Sequence, residues 1–140
     1  MTAKLVWDRF YEASRASKLE TERRLSAHGV HIGQQFVLEC LWDEDGLTPT
    51  ELARRIGVEP ATLTRLLRRM EDAGLVLRRD DEQDKRRIRT WLTEHGAALR
   101  DPVHATIGQL QRDAVRLLTE DETATFAALL AKMTTGLRGQ

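Results

Sequence analysis

The chain has 140 residues, 22 Lys and Arg against 22 Asp and Glu, 41% hydrophobic residues and a single cysteine. That length suits one domain able to bury roughly two-thirds of the surface its unfolded chain exposes. One cysteine excludes an intrachain disulfide and a cysteine-cluster metal site, and the lack of a secretory leader or of an apolar run of about 18 residues predicts a soluble, cytoplasmic protein with no membrane partner.

The neutral total conceals a polar distribution. Residues 1–46 hold 6 basic and 8 acidic side chains, 47–93 hold 11 and 8, and 94–140 hold 5 and 6. The excess of positive charge in the middle third is what a chain needs if only that third meets a polyanion.

In chain order, Lys4 to Ala27 carries Trp7, Phe10, Tyr11 and Leu25 among alternating charges, with no Gly or Pro before Gly29, and predicts a long amphipathic helix. A second helix is expected from Gly33 to Glu44, with Phe36, Val37, Cys40 and Leu41 on its inner face. Thr48, Pro49 and Glu51 then form a capping-box signature for a short helix that Gly57 stops. Pro60 opens the next helix, in which Leu63, Leu66, Leu67 and Met70 recur at helical spacing and face the core. The same periodicity turns Ala61, Thr62, Thr64, Arg65, Arg68 and Arg69 outward, a face of small residues, hydroxyls and guanidiniums without an acid until Glu71. Two short helices joined through Gly57-Val58-Glu59 constitute a helix-turn-helix signal, whose second helix can lie in a DNA major groove.

"LVLRR" and "RIRTWLT" read as two strands around a charged connection, which places a β-hairpin directly after the helix that Pro60 opens. Such a wing can reach a neighbouring minor groove with Arg or Lys. Beyond it, Thr93 caps a helix expected to run to Leu118 with a seam of Leu99, Val103, Ile107, Leu110, Ala114 and Leu117, kinked or delayed by Pro102. "TEDE", from Thr119 to Glu122, is a second capping box opening a last helix with Phe126, Leu129, Leu130, Met133 and Leu137 on one side. Terminal helices this apolar suit burial by a second subunit, and a twofold dimer suits a palindromic operator.

Leu47 to Gly96 resembles the winged helix-turn-helix core of the multiple antibiotic resistance regulator (MarR) family of bacterial transcription factors. The specific signal is Asp84-Lys85-Arg86 in the wing followed by Leu92-Thr93-Glu94-x-Gly96, and the flanking helices extend the resemblance over essentially the whole chain. The resemblance implies a mainly helical fold with a small two-stranded wing and a homodimer built from the first and last helices. It divides the chain into N-terminal helices for dimerisation and support (1–46), a DNA-binding region (47–93) and C-terminal dimerisation helices (94–140). It also implies Arg86 in the minor groove with Asp84 supporting it, and a function as a DNA-binding regulator, usually a repressor released by a small molecule. Where family members often carry Asp-Pro-x-Asp, this chain has Asp81-Glu82-Gln83-Asp84, so the wing is expected to be looser before DNA binds.

Within the reading helix, Arg65 has the geometry to pair with a guanine edge, and Thr62 and Thr64 can meet a thymine methyl or a phosphate. Arg68 and Arg69, a turn later, suit phosphates or a salt bridge with Glu71 or Asp72. In the wing, Lys85, Arg86, Arg87 and Arg89 would repel one another, and Asp80, Asp81, Glu82 and Asp84 offset that repulsion and can orient guanidiniums, although the first three also fit an ordinary solvated hairpin. Family members bind small aromatic or anionic effectors in a crevice between helical and winged regions. Trp7, Tyr11, His31 and Gln35 are the residues that could line one here, against the plainer reading of core packing.

His28, His31, His95 and His104 are too scattered to argue for a metal, and no metal or cofactor is expected. Cys40, with no basic neighbour in sequence, reads as a buried structural thiol. No phosphate loop, paired carboxylates or nucleophile motif suggests an enzyme. The competing reading is a winged-helix protein-protein interaction module that does not read DNA.

Overall fold

Helical periodicity and local caps organise the computed structural model, which describes residues 2–139. In chain order it contains α1 (Thr2–Ser26), α2 (Ile32–Asp43), α3 (Pro49–Ile56), α4 (Pro60–Asp72), β1 (Val76–Asp80), β2 (Ile88–Leu92), α5 (Glu94–Ala98), α6 (Arg100–Ala114) and α7 (Glu120–Leu137). The strands pair antiparallel with Val76 opposite Leu92 and Asp80 opposite Ile88. Leu47 adds a one-residue bridge to Thr90, whose N–H donates to the Leu47 carbonyl at 2.8 Å. The chain divides into two compact units, residues 1–106 and 107–140.

The first unit holds the core. Leu25, Val37, Leu38, Leu41, Leu52, Leu63, Leu67, Met70, Leu75 and Val103 are all essentially inaccessible. Each such side chain contributes about 1.5–3 kcal/mol relative to exposure. α3 and α4 therefore meet on their leucine faces, and Gly57, in the left-handed region at φ 81°, ends α3 with its N–H on the Ala53 carbonyl. The turn between the two helices follows directly from a residue that tolerates that backbone conformation.

Glycine has a second task at Gly96. A Cβ there would lie 2.1 Å from the Leu75 carbonyl oxygen, so the chain after β2 can press against the end of α4 only without a side chain. Around it, the Thr93 hydroxyl accepts from the Gly96 N–H at 3.0 Å and reaches the Gly74 carbonyl at 2.6 Å, while the Trp42 indole donates to the Gly96 carbonyl at 2.9 Å. The Thr93-Glu94-His95-Gly96 segment thus fastens the base of the hairpin to the link between α4 and β1 and to α2.

Several expectations need correction. Phe36 is 51% exposed; the inner face of α2 is Gln34, Val37, Leu38 and Leu41, with Cys40 only half-buried. Leu66 is half-buried, over Gly33, instead of fully in the core. The helix expected from Thr93 to Leu118 is two helices meeting at Leu99, because Pro102 has no N–H to continue the ladder, and the second ends at Ala114. Its apolar seam accordingly fails at the far end, where Leu117 is 86% exposed. Thr48 does accept from the Glu51 N–H at 3.2 Å, but the Glu51 carboxylate lies toward Arg87, at 3.9 Å, and the box is half made. The box at α7 is complete, with Glu122 N–H to Thr119 Oγ1 at 3.1 Å and Thr119 N–H to Glu122 Oε1 at 2.9 Å.

The start of α2 is stabilised from a distance. Glu22, on α1, accepts the Ile32 N–H at 2.7 Å and lies 3.3 Å from His31 Nδ1, while Gln34 Oε1 accepts the His31 N–H at 3.1 Å. These bonds, the Ile32 amide foremost, hold the Glu22 carboxyl below its usual range. In the second unit, α7 has no buried residue, and Phe126, Leu129, Leu130 and Leu137 are all exposed. No helix among the described residues is long and apolar enough to cross a membrane.

Candidate nucleic-acid interface

α4 owes its position to its buried stripe of Leu63, Leu67 and Met70. With that stripe fixed, Ala61, Thr62, Thr64, Arg65, Arg68 and Arg69 are all exposed. The exposed Thr64 donates its hydroxyl to the Pro60 carbonyl at 2.9 Å, which leaves the oxygen able to accept a further hydrogen bond. Among the described residues Arg65, Arg68 and Arg69 form no ion pair or side-chain hydrogen bond, since Glu71 pairs with Arg78 of β1 instead. Of the two neighbouring carboxylates that could engage Arg68 or Arg69, Glu71 is committed to the hairpin.

The hairpin is arranged differently. Its loop, residues 81–87, is closed by the Asp81 N–H on the Arg87 carbonyl at 2.9 Å, and inside it the Arg87 N–H donates to the Asp84 carbonyl at 2.9 Å. At the tip, Asp84 Oδ1 accepts both the Arg86 N–H at 3.1 Å and its Nε–H at 3.2 Å. Arg86 is nevertheless 92% exposed, so the carboxylate steers the guanidinium without covering it. Lys85 and Arg87 are exposed beside it, with Arg87 near Glu51.

For Asp81 the sequence leaves two readings open, orienting a guanidinium or an ordinary solvated acid, and the structure gives it a guanidinium partner. Its side chain is only 12% exposed, and it accepts the Gln83 N–H and the Arg89 Nε–H, each at 2.9 Å. The Gln83 amide first, and then Arg89, hold its carboxyl below the usual range. Arg89 in turn donates to the Gly46 carbonyl at 2.8 Å. A signal was present: with the register known, residues 81 and 89 are diagonal neighbours across the hairpin, within reach of a long side chain.

The four residues considered for an effector crevice do not converge within one chain. Trp7 and Tyr11 form an aromatic cluster with Phe10, Trp7 and Tyr11 edge to face at 5.1 Å between centroids. His31 and half-buried Gln35 lie at the start of α2, beside Glu22. From Tyr11 to Glu22 a helix rises about 16 Å.

Elsewhere, His28 bonds Thr106 at 2.7 Å and His104 bonds Glu39 at 2.9 Å. Among the described residues no three His, Cys, Asp or Glu side chains gather as metal ligands would. Cys40 does have a basic neighbour, Arg55, but burial outweighs it and pushes the thiol up, away from a reactive thiolate.

A reading helix with an unpaired basic face, followed by a hairpin offering an arginine at its tip, defines the class of winged helix-turn-helix proteins. The sequence pattern described as "MarR family" matches residues 31–88. The regulator TtmR of Methylorubrum extorquens is 32% identical over 126 residues, covering 88% of this chain and 62% of its own length. Among solved structures, mutant MarR from E. coli complexed with operator DNA is 30% identical at a TM-score of 0.80, over 91% of this chain and 92% of that one. A MarR-like transcription regulator from Bacillus cereus shares the fold at a TM-score of 0.85 and 18% identity, over 98% and 99% of the two chains. The chain belongs to the MarR family, whose members are DNA-binding transcriptional regulators and not enzymes.

Proposed function

We propose that this chain is a homodimeric, sequence-specific repressor acting in the cytoplasm, which reads a palindromic operator and releases it when a small aromatic or anionic ligand binds. The observation that carries the reading is the contrast in charge satisfaction on one side of the fold. Arg65, Arg68 and Arg69 have no partner among the described residues, and Arg86 is steered yet uncovered. Guanidiniums left in that condition are ready for base edges and phosphates. In this reading Ala61, Thr62, Thr64 and Arg65 enter the major groove, Arg68 and Arg69 meet the backbone, and Asp84, Lys85, Arg86 and Arg87 bring the wing to the minor groove. Residues 47–93 are the DNA-binding region, and 1–46 and 94–140 supply the dimer.

Dimerisation is supported by apolar side chains left exposed at both ends of the chain: Leu5, Val6, Trp7 and Tyr11 on α1, and Phe126, Leu129, Leu130 and Leu137 on α7. A chain stable as a monomer rarely leaves so much apolar surface in water. Effector control is supported by the exposed Trp7–Tyr11 pair and by the resemblance, with the partner subunit needed to complete any crevice around these residues and His31 or Gln35.

The test is selection of duplexes from a random-sequence pool by the full chain, with light scattering and affinity measured across salt concentration. Palindromes with half-sites about 34 Å apart, bound by a dimer with steep salt dependence, are expected. Uniform weak binding to every duplex would discard sequence reading and favour an interaction module. A panel of aromatic carboxylates, followed by tryptophan emission and operator affinity together, tests release; ligands that bind while affinity stays constant would remove the control step.

A further inference from the structure

We infer that Asp81 and Arg89 are positioning residues for DNA binding, a clamp at the root of the wing that holds the tip so that Arg86 is presented in one place. The inference rests on the DNA-binding reading above. The clamp is a continuous chain of bonds: the Gly46 carbonyl accepts from Arg89, Arg89 donates to Asp81, and Asp81 accepts the Gln83 N–H. Gln83 adjoins Asp84, whose carboxylate binds the Arg86 backbone and guanidinium. Two aspartates therefore act in series, the outer one aiming Arg86 and the inner one anchoring the loop that carries the outer one.

The burial of the two carboxylates matches this division. The Asp81 side chain is 12% exposed against 37% for Asp84, and Arg86 projects into water, so neither Asp81 nor half-buried Arg89 is placed to meet DNA as freely as the tip does. The far end of the clamp is Gly46, two residues before the cap of α3, so the loop is tied to the body of the helix-turn-helix as well as to its own strand partner. Without the ion pair to Arg89, the 81–87 loop keeps its backbone closure between Asp81 and Arg87, but its Asp81 end is no longer tied to Gly46 and the tip gains conformations that must be lost again on binding.

The test is a double-mutant cycle on a duplex selected by the wild-type full chain. Asp81→Asn, which keeps an oxygen for the Gln83 N–H but loses the charge facing Arg89, and Arg89→Gln are expected to weaken binding about two- to fivefold. In an Arg86→Ala background each should have no further effect, because the residue being positioned is gone. Circular dichroism and thermal unfolding of each variant check that the domain is folded, and the two clamp variants serve as controls for one another. Losses that persist undiminished in the Arg86→Ala background, or wild-type affinity in both folded variants, would overturn the clamp alone. If the wild-type chain enriches no duplex, the DNA-binding function fails and the clamp with it.

Discussion

The two elements proposed to meet DNA, α4 and the hairpin, hold their arginines in opposite ways. α4 carries three arginines with no partner, and the hairpin ties nearly every arginine it has: Arg78 to Glu71, Arg86 to Asp84, Arg87 near Glu51, Arg89 to Asp81. The difference follows from how each backbone is held. A helix buried along Leu63, Leu67 and Met70 fixes its Cα positions, so its outward side chains need no further orientation. A two-stranded hairpin is at best marginally stable alone, and its loop has to be held by side chains. Acids among the wing's bases are thus part of its scaffolding.

The comparison would break first at the core. Leu67→Ala should cost about 2–5 kcal/mol, because it empties a fully buried site that the helix-turn-helix cannot collapse around. Ile88→Ala in the wing, at a side chain 41% exposed, should cost well under about 1.5 kcal/mol. Chemical unfolding measures both. Similar costs at the two sites would mean that the hairpin is carried by packing, like α4, and not by its polar ties.

What could be read from the sequence divides along the same line. Local signals worked wherever the partner is a few residues away: Thr48, Thr93 and Thr119 cap their helices, Gly57 makes the turn, and the stripe of α4 orients its arginines. They failed where the partner is remote. Glu22 caps α2 from ten residues upstream across a turn, which no cap rule anticipates. Spacing alone also places Phe36 inward, yet Phe36 is exposed and Gln34 is buried on that helix, a local exception held by the Gln34 bond to the His31 N–H three residues before it. For Asp81 the sequence leaves a guanidinium-orienting role and a solvated one open, because its partner, Arg89, becomes a neighbour only once the strand register is known. As for assembly, the apolar residues of α7 are legible in sequence, but their burial requires atoms that one chain does not contain.

Next in size is the reading face. Arg65→Ala should weaken binding to the selected site by about 1–3 kcal/mol and binding to random duplex far less, since a base-edge contact is lost on one and not on the other. Fluorescence anisotropy on both duplexes at one salt concentration compares them. Equal losses would reassign Arg65 to the phosphate backbone and leave α4 without a demonstrated reader.

Smaller again, and unequal within the wing, are the effects at the tip. Arg86→Ala should cost about 1.5 kcal/mol of binding with little change in stability, as expected for an exposed charged donor. Asp84→Asn should cost less than Arg86→Ala, because it removes the steering partner and leaves the guanidinium available. A reversed order, with Asp84→Asn unfolding the domain while Arg86→Ala binds normally, would make the pair structural and the wing's charges unrelated to DNA.

The smallest effect separates the two elements by pH. Asp81 is held below its ordinary value of 3.8 by the Gln83 amide and Arg89, so the folded state binds a proton there less readily than the unfolded chain does. The sign follows: the stabilisation is fully present above the unfolded value, from about pH 5 upward, and is lost as pH falls through the lower folded value. Wild type and Asp81→Asn should therefore differ in unfolding midpoint by a constant amount near neutrality and converge below about pH 4. Arg65→Ala offers the contrast, because no carboxylate is tied to that arginine and its offset from wild type should stay flat over the same range. Urea titrations at stepped pH would follow both curves. Convergence for the Arg65 variant as well would indicate a carboxylate bound to the reading face, and the distinction between a free helix and a tied wing would no longer hold.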